Sequence, residues 1–498
     1  MDILVLLPIL IPFLTAIIAI LFGRRVFLLR PLTSIGTFLQ LAAAVWLLVE
    51  VSQGGILTLQ LGSWPAPFGI TLVADIFSAI MTVMVGLMGF LVAIFALPDL
   101  DADREGHGYH PLYNILLMGV AGAFLTGDIF NLYVWFEVLL IASFVLLVLG
   151  GQRIQLEGAL KYVIINLLSS AIFLTAVGFV YHLAGTVNMA DMSQHLPYEE
   201  YPGLVTLLSM LFLVTFGVKG AVFPLFFWLP DSYPTPPVAI TTIFSALLTK
   251  VGIYAMMRVF TLMFMHDLAY IQPIILIIAA LTMITGVFGA VTQYEFRRLL
   301  SFHIISQIGY LLMGLGLFSP LGLAGAIYFM VHVIIAKSAL FLVSGIVNRM
   351  RNTYDLHELG GLYASNVGIA LLFLLPALSL GGIPPLSGFW AKFALIQAGL
   401  EGEQYLVTAA ALGVSILTLY SMTKIWTYAF WKKPPPDHDP LEDRLPSRQR
   451  WLYLMPLGVL VALTIVLGIF AEPLLTLSMQ AAEQLLNPTD YIQAVLGG

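Results

Sequence analysis

Apolar runs of eighteen residues or more recur along this chain from end to end, and they admit one class of fold. Within a bilayer every backbone N–H and C=O must be satisfied inside the protein, and runs of this length do so as membrane-spanning α-helices. The expected spans are 3–22, 32–52, 72–97, 110–127, 130–150, 157–183, 203–228, 237–263, 272–293, 301–318, 322–348, 365–398, 405–430 and 451–472. The predicted fold is therefore an all-α polytopic membrane protein of about fourteen transmembrane helices. Composition agrees, with 10% charged residues where a soluble domain carries about 25%.

Charge in the loops gives the spans a direction. Arg24, Arg25 and Arg30 follow span 1, Arg153 follows span 5, and Arg297 and Arg298 follow span 9. Arg349 and Arg351 follow span 11, and Lys432, Lys433, Arg444, Arg448 and Arg450 follow span 13. The loops 53–71, 184–202 and 399–404, after even-numbered spans, contain no Lys or Arg. The positive-inside rule then puts both termini outside and the basic loops in the cytoplasm of a bacterial cell (inner, plasma) membrane. Arg258, near the outer end of span 8, is expected within the protein. The first run lacks a basic n-region and a small-residue cleavage site, so it reads as a retained span.

Four charges lie deep in these runs: Glu137, Lys219, Lys250 and Lys392. Each costs roughly 2.5–3.5 kcal/mol at a bilayer centre on insertion scales, so four facing lipid would cost on the order of 10 kcal/mol. They must face protein or a hydrated path, and intramembrane ionisable groups mark proton or ion routes. A desolvated lysine can release its proton, unlike arginine. The alternatives are a structural carboxylate at Glu137, static ion pairs for the lysines, or snorkelling, which central positions make difficult.

Two spans carry helix-breaking sequence. One reads Gly217-Val-Lys-Gly-Ala-Val-Phe-Pro224, and the other Gly381-Gly-Ile-Pro384-Pro385-Leu-Ser-Gly388-Phe-Trp-Ala-Lys392. Proline removes an intrahelical hydrogen bond and glycine adds backbone freedom, so both helices should unwind. Each break carries a lysine and a Phe-Trp pair. Ala159-Leu-Lys161-Tyr and Gly325-Ala-Ile-Tyr328 match at a similar offset, in the helices before the breaks. A five-helix unit thus occurs twice, at spans 4–8 and 9–13, and an odd number of helices inverts the second copy. The expected organisation is 1–109 (helices 1–3), 110–263 (first repeat), 264–430 (inverted repeat) and 431–498 (loop, helix 14 and tail). Paired broken helices in inverted repeats point to a transporter's ion path; ordinary proline kinks are the bland alternative.

Further polar residues are candidates for the same line. His332 and Lys337 are five apart and fall on different helix faces, so a relay through water competes with a satisfied core histidine. His303 and Gln307 share one face of span 10. Lys161, Lys424 and Asp75 lie near span ends and divide between pathway and anchor. The acidic loop 99–105 with His107 and His110, and Asp437-His-Asp439, read as solvated rather than metal-binding. No metal site or cofactor is expected. Cysteine is absent, which removes disulfides, thiol chemistry and cysteine-held clusters from this chain. There is no nucleotide-binding motif and no basic nucleic-acid footprint.

The stretches Asn131-Leu-Tyr-Val-Trp-Phe-Glu137-Val-Leu-Leu-Ile, Lys219-Gly-Ala-Val-Phe-Pro224-Leu-Phe-Phe-Trp-Leu-Pro-Asp231 and Gly388-Phe-Trp-Ala-Lys392 resemble the antiporter-like subunits of respiratory complex I. They resemble still more the D-type component of the Mrp-type multisubunit sodium/proton antiporters, over essentially the whole chain. The resemblance implies fourteen helices, two inverted repeats and a hydrophilic mid-membrane axis. It also implies assembly with the other Mrp components, of the A, B, C, E, F and G types, and exchange of protons against a monovalent cation, Na+. The large A-type component has helices beyond these fourteen, and the longest complex I homologue a lateral helix, neither of which fits here. The expected route enters near Lys250, crosses to Lys219 beside Glu137, and runs by His332 and Lys337 to Lys392. A redox-driven proton-pump module and an inert membrane scaffold are the competing readings.

Overall fold

The computed structural model describes residues 3–435 and 445–497. Arg444, the side chain of Arg448 and the Asp437–Asp439 stretch lie outside the described residues. Among the described residues, twelve helices are long and apolar enough to span a bilayer. They are α1 (Ile3–Phe22), α2 (Val26–Gly54), α3 (Ile76–Asp99), α5 (Ile129–Val148), α6 (Arg153–Ala184), α7 (Pro202–Gly220), α8 (Val238–Leu262), α9 (Leu268–Thr292), α10 (Phe296–Leu317), α11 (Pro320–Arg351), α14 (Tyr405–Trp431) and α15, which runs Ser447–Ile469. Shorter apolar helices supply the rest: α4 (His110–Leu125) and α12 (Val367–Gly381), the latter continued after a break by α13 (Ser387–Glu401). Counting α12 and α13 as one broken span gives the fourteen expected from the apolar runs.

Two features depart from the expected spans. Residues 57–60 (β1) and 71–74 (β2) form an antiparallel hairpin, where the apolar run from 72 reads as the start of a span. Beyond α15 the expected tail is helical, as α16 (Ala471–Leu486) and α17 (Thr489–Leu496). Both are amphipathic, too polar to span and too apolar to be free, and they fold back onto the bundle. Thr58 and Gln60 side chains donate to the Ala494 and Val495 carbonyls, and Gln484 accepts the Ile76 N–H.

Loop contacts define two faces. On one, Leu72 bridges Thr126 and Asp128 bridges Asn188, joining the connections after α2, α4 and α6, with α17 laid over the hairpin. On the other, Arg30 pairs with Glu105, Glu295 bridges Asp355, and Gly361 N–H donates to the Lys432 carbonyl. The second is the face of the basic loops, as the parity of spans and charges requires. It also corrects one expectation. Glu105 and His110 are buried rather than solvated, in a network with Arg30 and Thr33. Burial alone would push the Glu105 carboxyl up, but His110 and Arg30 hold it below the usual range. Its stabilisation is present above the ordinary carboxylate range and is lost as pH falls through that lowered value.

The runs α4–α8 and α9–α14 each contribute five spans, the first entering from the basic face and the second from the opposite face. Both contain a 32-residue helix, α6 and α11, followed by a broken one. Close approach of backbones sets their geometry, since in lipid it is packing rather than hydrophobicity that joins helices. A Cβ on Gly286 would lie 2.3 Å from Ser306 N, so α9 and α10 touch main chain to main chain. A Cβ on Gly252 would lie 2.7 Å from Gly220 N, pressing α8 against the last turn of α7. Gly252→Ala should therefore separate these helices at a cost of roughly 1–3 kcal/mol, lowering complex abundance or transport. Gly458→Ala, with open space around it, should be neutral in the same immunoblot and vesicle assays. Equal behaviour of the two variants would contradict this account of the packing.

Candidate functional site: a buried line of proton-exchangeable groups

Lys219 is the penultimate residue of α7. The helix stops because Ala221 turns left-handed, with φ 56°, and the next residues pass through the cis Phe223–Pro224 bond. Trp228 clamps the break by donating its indole N–H to the Val218 carbonyl at 3.1 Å. Lys219 is 6% exposed; its Nζ donates to Ser170 Oγ at 3.1 Å and lies 4.8 Å over the Phe136 ring. Asn166, Tyr162 and Leu248 close a small cavity around it. Gly217, expected at the break, lies inside the helix, and its carbonyl accepts the Ala221 N–H.

Glu137 on α5 makes no ion pair with Lys219 within 4 Å. Its Oε1 is buried and, among the described residues, has no hydrogen-bond partner; Lys219 lies over the ring of Phe136, the residue next to it in α5. The expected coupled pair is thus an electrostatic neighbour, not a salt bridge. A charge placed this way can change its partner's affinity for a proton without locking it in one geometry.

Lys250 is fully buried on α8. A wide π-turn at Phe244–Leu248 precedes it, and Lys250 Nζ donates to the Ser245 carbonyl within that turn. π-Turns inside α-helices occur often at functional sites. Because α8 packs on the break in α7, Leu248 reaches the Lys219 cavity, so the two lysines occupy adjacent elements.

In the second run, Lys337 on α11 donates to the Leu300 carbonyl of α10 at 3.0 Å. From there the polar face of α10 continues. His303 Nε2 meets Ser421 Oγ at 2.6 Å, and both polar atoms of Gln307 are buried with no protein partner. Tyr310 O–H donates to the Ala411 carbonyl at 2.6 Å. Lys392 Nζ sits 4.9 Å over the Tyr310 ring and donates to Ser415 Oγ at 2.8 Å and the Leu380 carbonyl at 2.9 Å. Residues 303, 306, 307 and 310 form one helical stripe between the Leu300 carbonyl that binds Lys337 and the Tyr310 ring beneath Lys392. His332 sits to one side, its Nδ1 2.9 Å from Ser387 Oγ at the second break and its Nε2 without a protein partner. Its five-residue spacing from Lys337 does put the two on different faces.

The second break differs from the first. α12 stops at Gly381, Gly382 has φ 87°, and the cis Pro384–Pro385 bond leads into α13. Lys219 precedes its break, whereas Lys392 follows its own, so the two are not sequence equivalents. Lys392 reaches back across its break to the Leu380 carbonyl.

Three candidates lie off this line. Lys161 is 45% exposed and pairs with Asp231 at 2.8 Å, in a basic-face network that includes Arg298. Asp75 caps α3 and forms a buried ion pair with Arg258. Lys424 donates to the Val291 and Gln293 carbonyls and so caps the C-terminus of α9. Among the described residues no cluster of three His, Asp or Glu could hold a metal ion. Buried Thr215, Thr249 and Ser306 hydroxyls also lack protein partners. Buried polar groups are almost always satisfied, so such a string is suited to ordered water between the lysines.

Fold and site together define a membrane transport protein whose interior, rather than its surface, carries the ionisable groups. The chain belongs to the NADH:quinone oxidoreductase/Mrp antiporter transmembrane family, whose model matches residues 126–418. It is 48% identical over 496 residues to the D-type component of the Na(+)/H(+) antiporter of Alkalihalophilus pseudofirmus, covering 100% of both chains. The corresponding Bacillus subtilis protein is 41% identical, with 99% of each covered. Among solved structures it is similar to a chain of the Mrp complex from Dietzia sp. DQ12-45-1b, with TM-score 0.93, 35% identity and 100% coverage of both. A chain of the archaeal membrane-bound sulfane sulfur reductase also matches, with TM-score 0.89, 25% identity and 99% coverage of both.

Proposed function

We propose that this chain is the D-type component of a multisubunit Na+/H+ antiporter and carries its proton path. It would work in the plasma membrane together with components of the A, B, C, E, F and G types. The observation that carries the reading is the set of buried ammonium groups and polar side chains distributed through both five-helix runs. A proton enters from the basic face to Lys250 and crosses at the α7–α8 contact to Lys219. Neutral Lys219 leaves the Glu137 charge unbalanced, which favours the arrival of the next proton. The route then passes Lys337, His303 and Gln307 to Lys392, with His332 beside it, and opens to the opposite side. A static ion-pair role fits poorly, because among the described residues none of the four lysines has a carboxylate partner within 4 Å. We read the chain as part of a transporter.

The test is Na+-driven proton exchange in vesicles containing the assembled complex, compared with a complex lacking this chain. Exchange that persists without the chain would overturn the reading. A redox-driven pump module is the rival. The 48% identity to an antiporter component, against 25% to a respiratory-complex chain, favours the antiporter. Co-purification with flavin or iron–sulfur proteins would reverse that choice.

The reading also fixes sidedness. Lys433→Cys, exposed on the basic face, should react with a membrane-impermeant maleimide only from the cytoplasm. Gln404→Cys, exposed on the opposite face, should react from outside. The chain has no cysteine of its own, so each label reports one position. The reverse pattern would refute the orientation, and with it both termini outside.

A further inference from the structure

A line of proton carriers needs ends that do not leak, and one residue type can supply them. A proton wire requires each member to accept a hydrogen bond as well as donate one. A guanidinium has five donors and no acceptor, and it does not deprotonate in proteins. Lys250, Tyr254 and Arg258 lie at successive turns on one face of α8, leading from the carrier towards the face opposite the basic loops. Tyr254 O–H gives its single proton to the Phe124 carbonyl at 2.7 Å, an acceptor that can pass nothing on. Beyond it, Arg258 is 5% exposed, and its Nη2 donates both to Tyr254 O–H at 3.3 Å and to Asp75. The Tyr491 ring of α17 lies 5.0 Å from the guanidinium carbon and covers it. The face that continues the Lys250 stripe therefore ends in a donor-only group locked in place by a buried carboxylate.

We propose that Arg258, held by Asp75, is the proton seal of the first run on the face opposite the basic loops. The first run is thereby closed on that face and open on the basic one. Fixed cations serve as proton barriers in other membrane pores. Neither Arg258 nor Asp75 carries the transported proton; both act by insulating the groups that do. The inference rests on the relay proposed above.

The experiment uses the whole complex in liposomes without Na+, an imposed membrane potential and an internal pH dye. The paired replacement Asp75→Asn with Arg258→Gln keeps shape and hydrogen bonding but installs groups that accept as well as donate. It should raise proton leak by about tenfold or more, the effect of a barrier lowered by about 1.4 kcal/mol. Adding Lys250→Ala should abolish that leak, because the current runs through the carrier. A paired variant as tight as wild type would overturn the proposal. So would a leak that survives Lys250→Ala, since it would mean general loosening. If the paired variant does not assemble, Arg258→Gln alone decides: a leak removed by Lys250→Ala supports the seal, and tightness refutes it. Failure of wild-type complex to exchange Na+ for H+ would count against the functional reading instead, and leaves the leak comparison interpretable.

Discussion

Lys219→Ala is expected to lower Na+-dependent proton exchange at least about tenfold, the effect of a barrier raised by ~1.4 kcal/mol, with the complex present at normal abundance. Normal abundance follows from the contacts. Lys219 donates only to a serine hydroxyl among the described residues, and Glu137 is not bonded to it, so the alanine leaves no salt bridge half-broken. Removing one member of a true buried ion pair would instead cost about 3–5 kcal/mol and show as loss of protein. Glu137→Ala should stop exchange in the same way, whereas Glu137→Asp, which keeps the charge, should retain part of it. Exchange and protein abundance measured in the same vesicles separate the cases. Near-normal exchange in Lys219→Ala at full abundance would show that protons bypass the break in α7.

The second large effect is expected at Lys392. Lys392→Arg keeps a positive charge at the second break but cannot release a proton. Lys392→Ala removes the carrier altogether. If protons pass through both runs, each change should reduce exchange at least about tenfold while assembly stays intact. If protons leave from the first run, both variants should exchange at wild-type rates. The arginine variant decides between a carrier and a counter-charge, since only the former needs to lose its proton. Wild-type rates with arginine at 392 would make the lysine a structural donor to Leu380 and Ser415.

Much of this was legible beforehand, for identifiable reasons. Spans are readable because the bilayer imposes a minimum apolar length, and the basic loops fall where parity puts them. Glu137, Lys219, Lys250 and Lys392 stand out because a charge in an apolar run has no cheap explanation. The hairpin at 57–74 was missed because its second strand, Thr71–Ala74, is as apolar as the helix that follows. α16 and α17 were missed because amphipathic helices lying on a membrane protein leave no long apolar run. Residues 303, 306, 307 and 310 recur at helical spacing and are legible as one polar face only when Ser306 and Tyr310 are counted with His303 and Gln307. Which side of its break each lysine occupies follows from the sequence, but what it reaches across the break does not, since a break can present the same charge from either side.

Three of the four lysines on the line donate to main-chain oxygens, those of Ser245, Leu300 and Leu380. Any side chain at those positions offers the same carbonyl. Part of the wiring is therefore hidden from genetics: a mutational screen would recover the donors and the serine acceptors Ser170 and Ser415 but pass over the carbonyls. Such acceptors also cannot be lost by ordinary substitution, only by altering the path of the backbone. A π-turn or a proline break, which looks like a flaw in a helix, is then the heritable element, and the sequence that specifies it need only keep the chain bent.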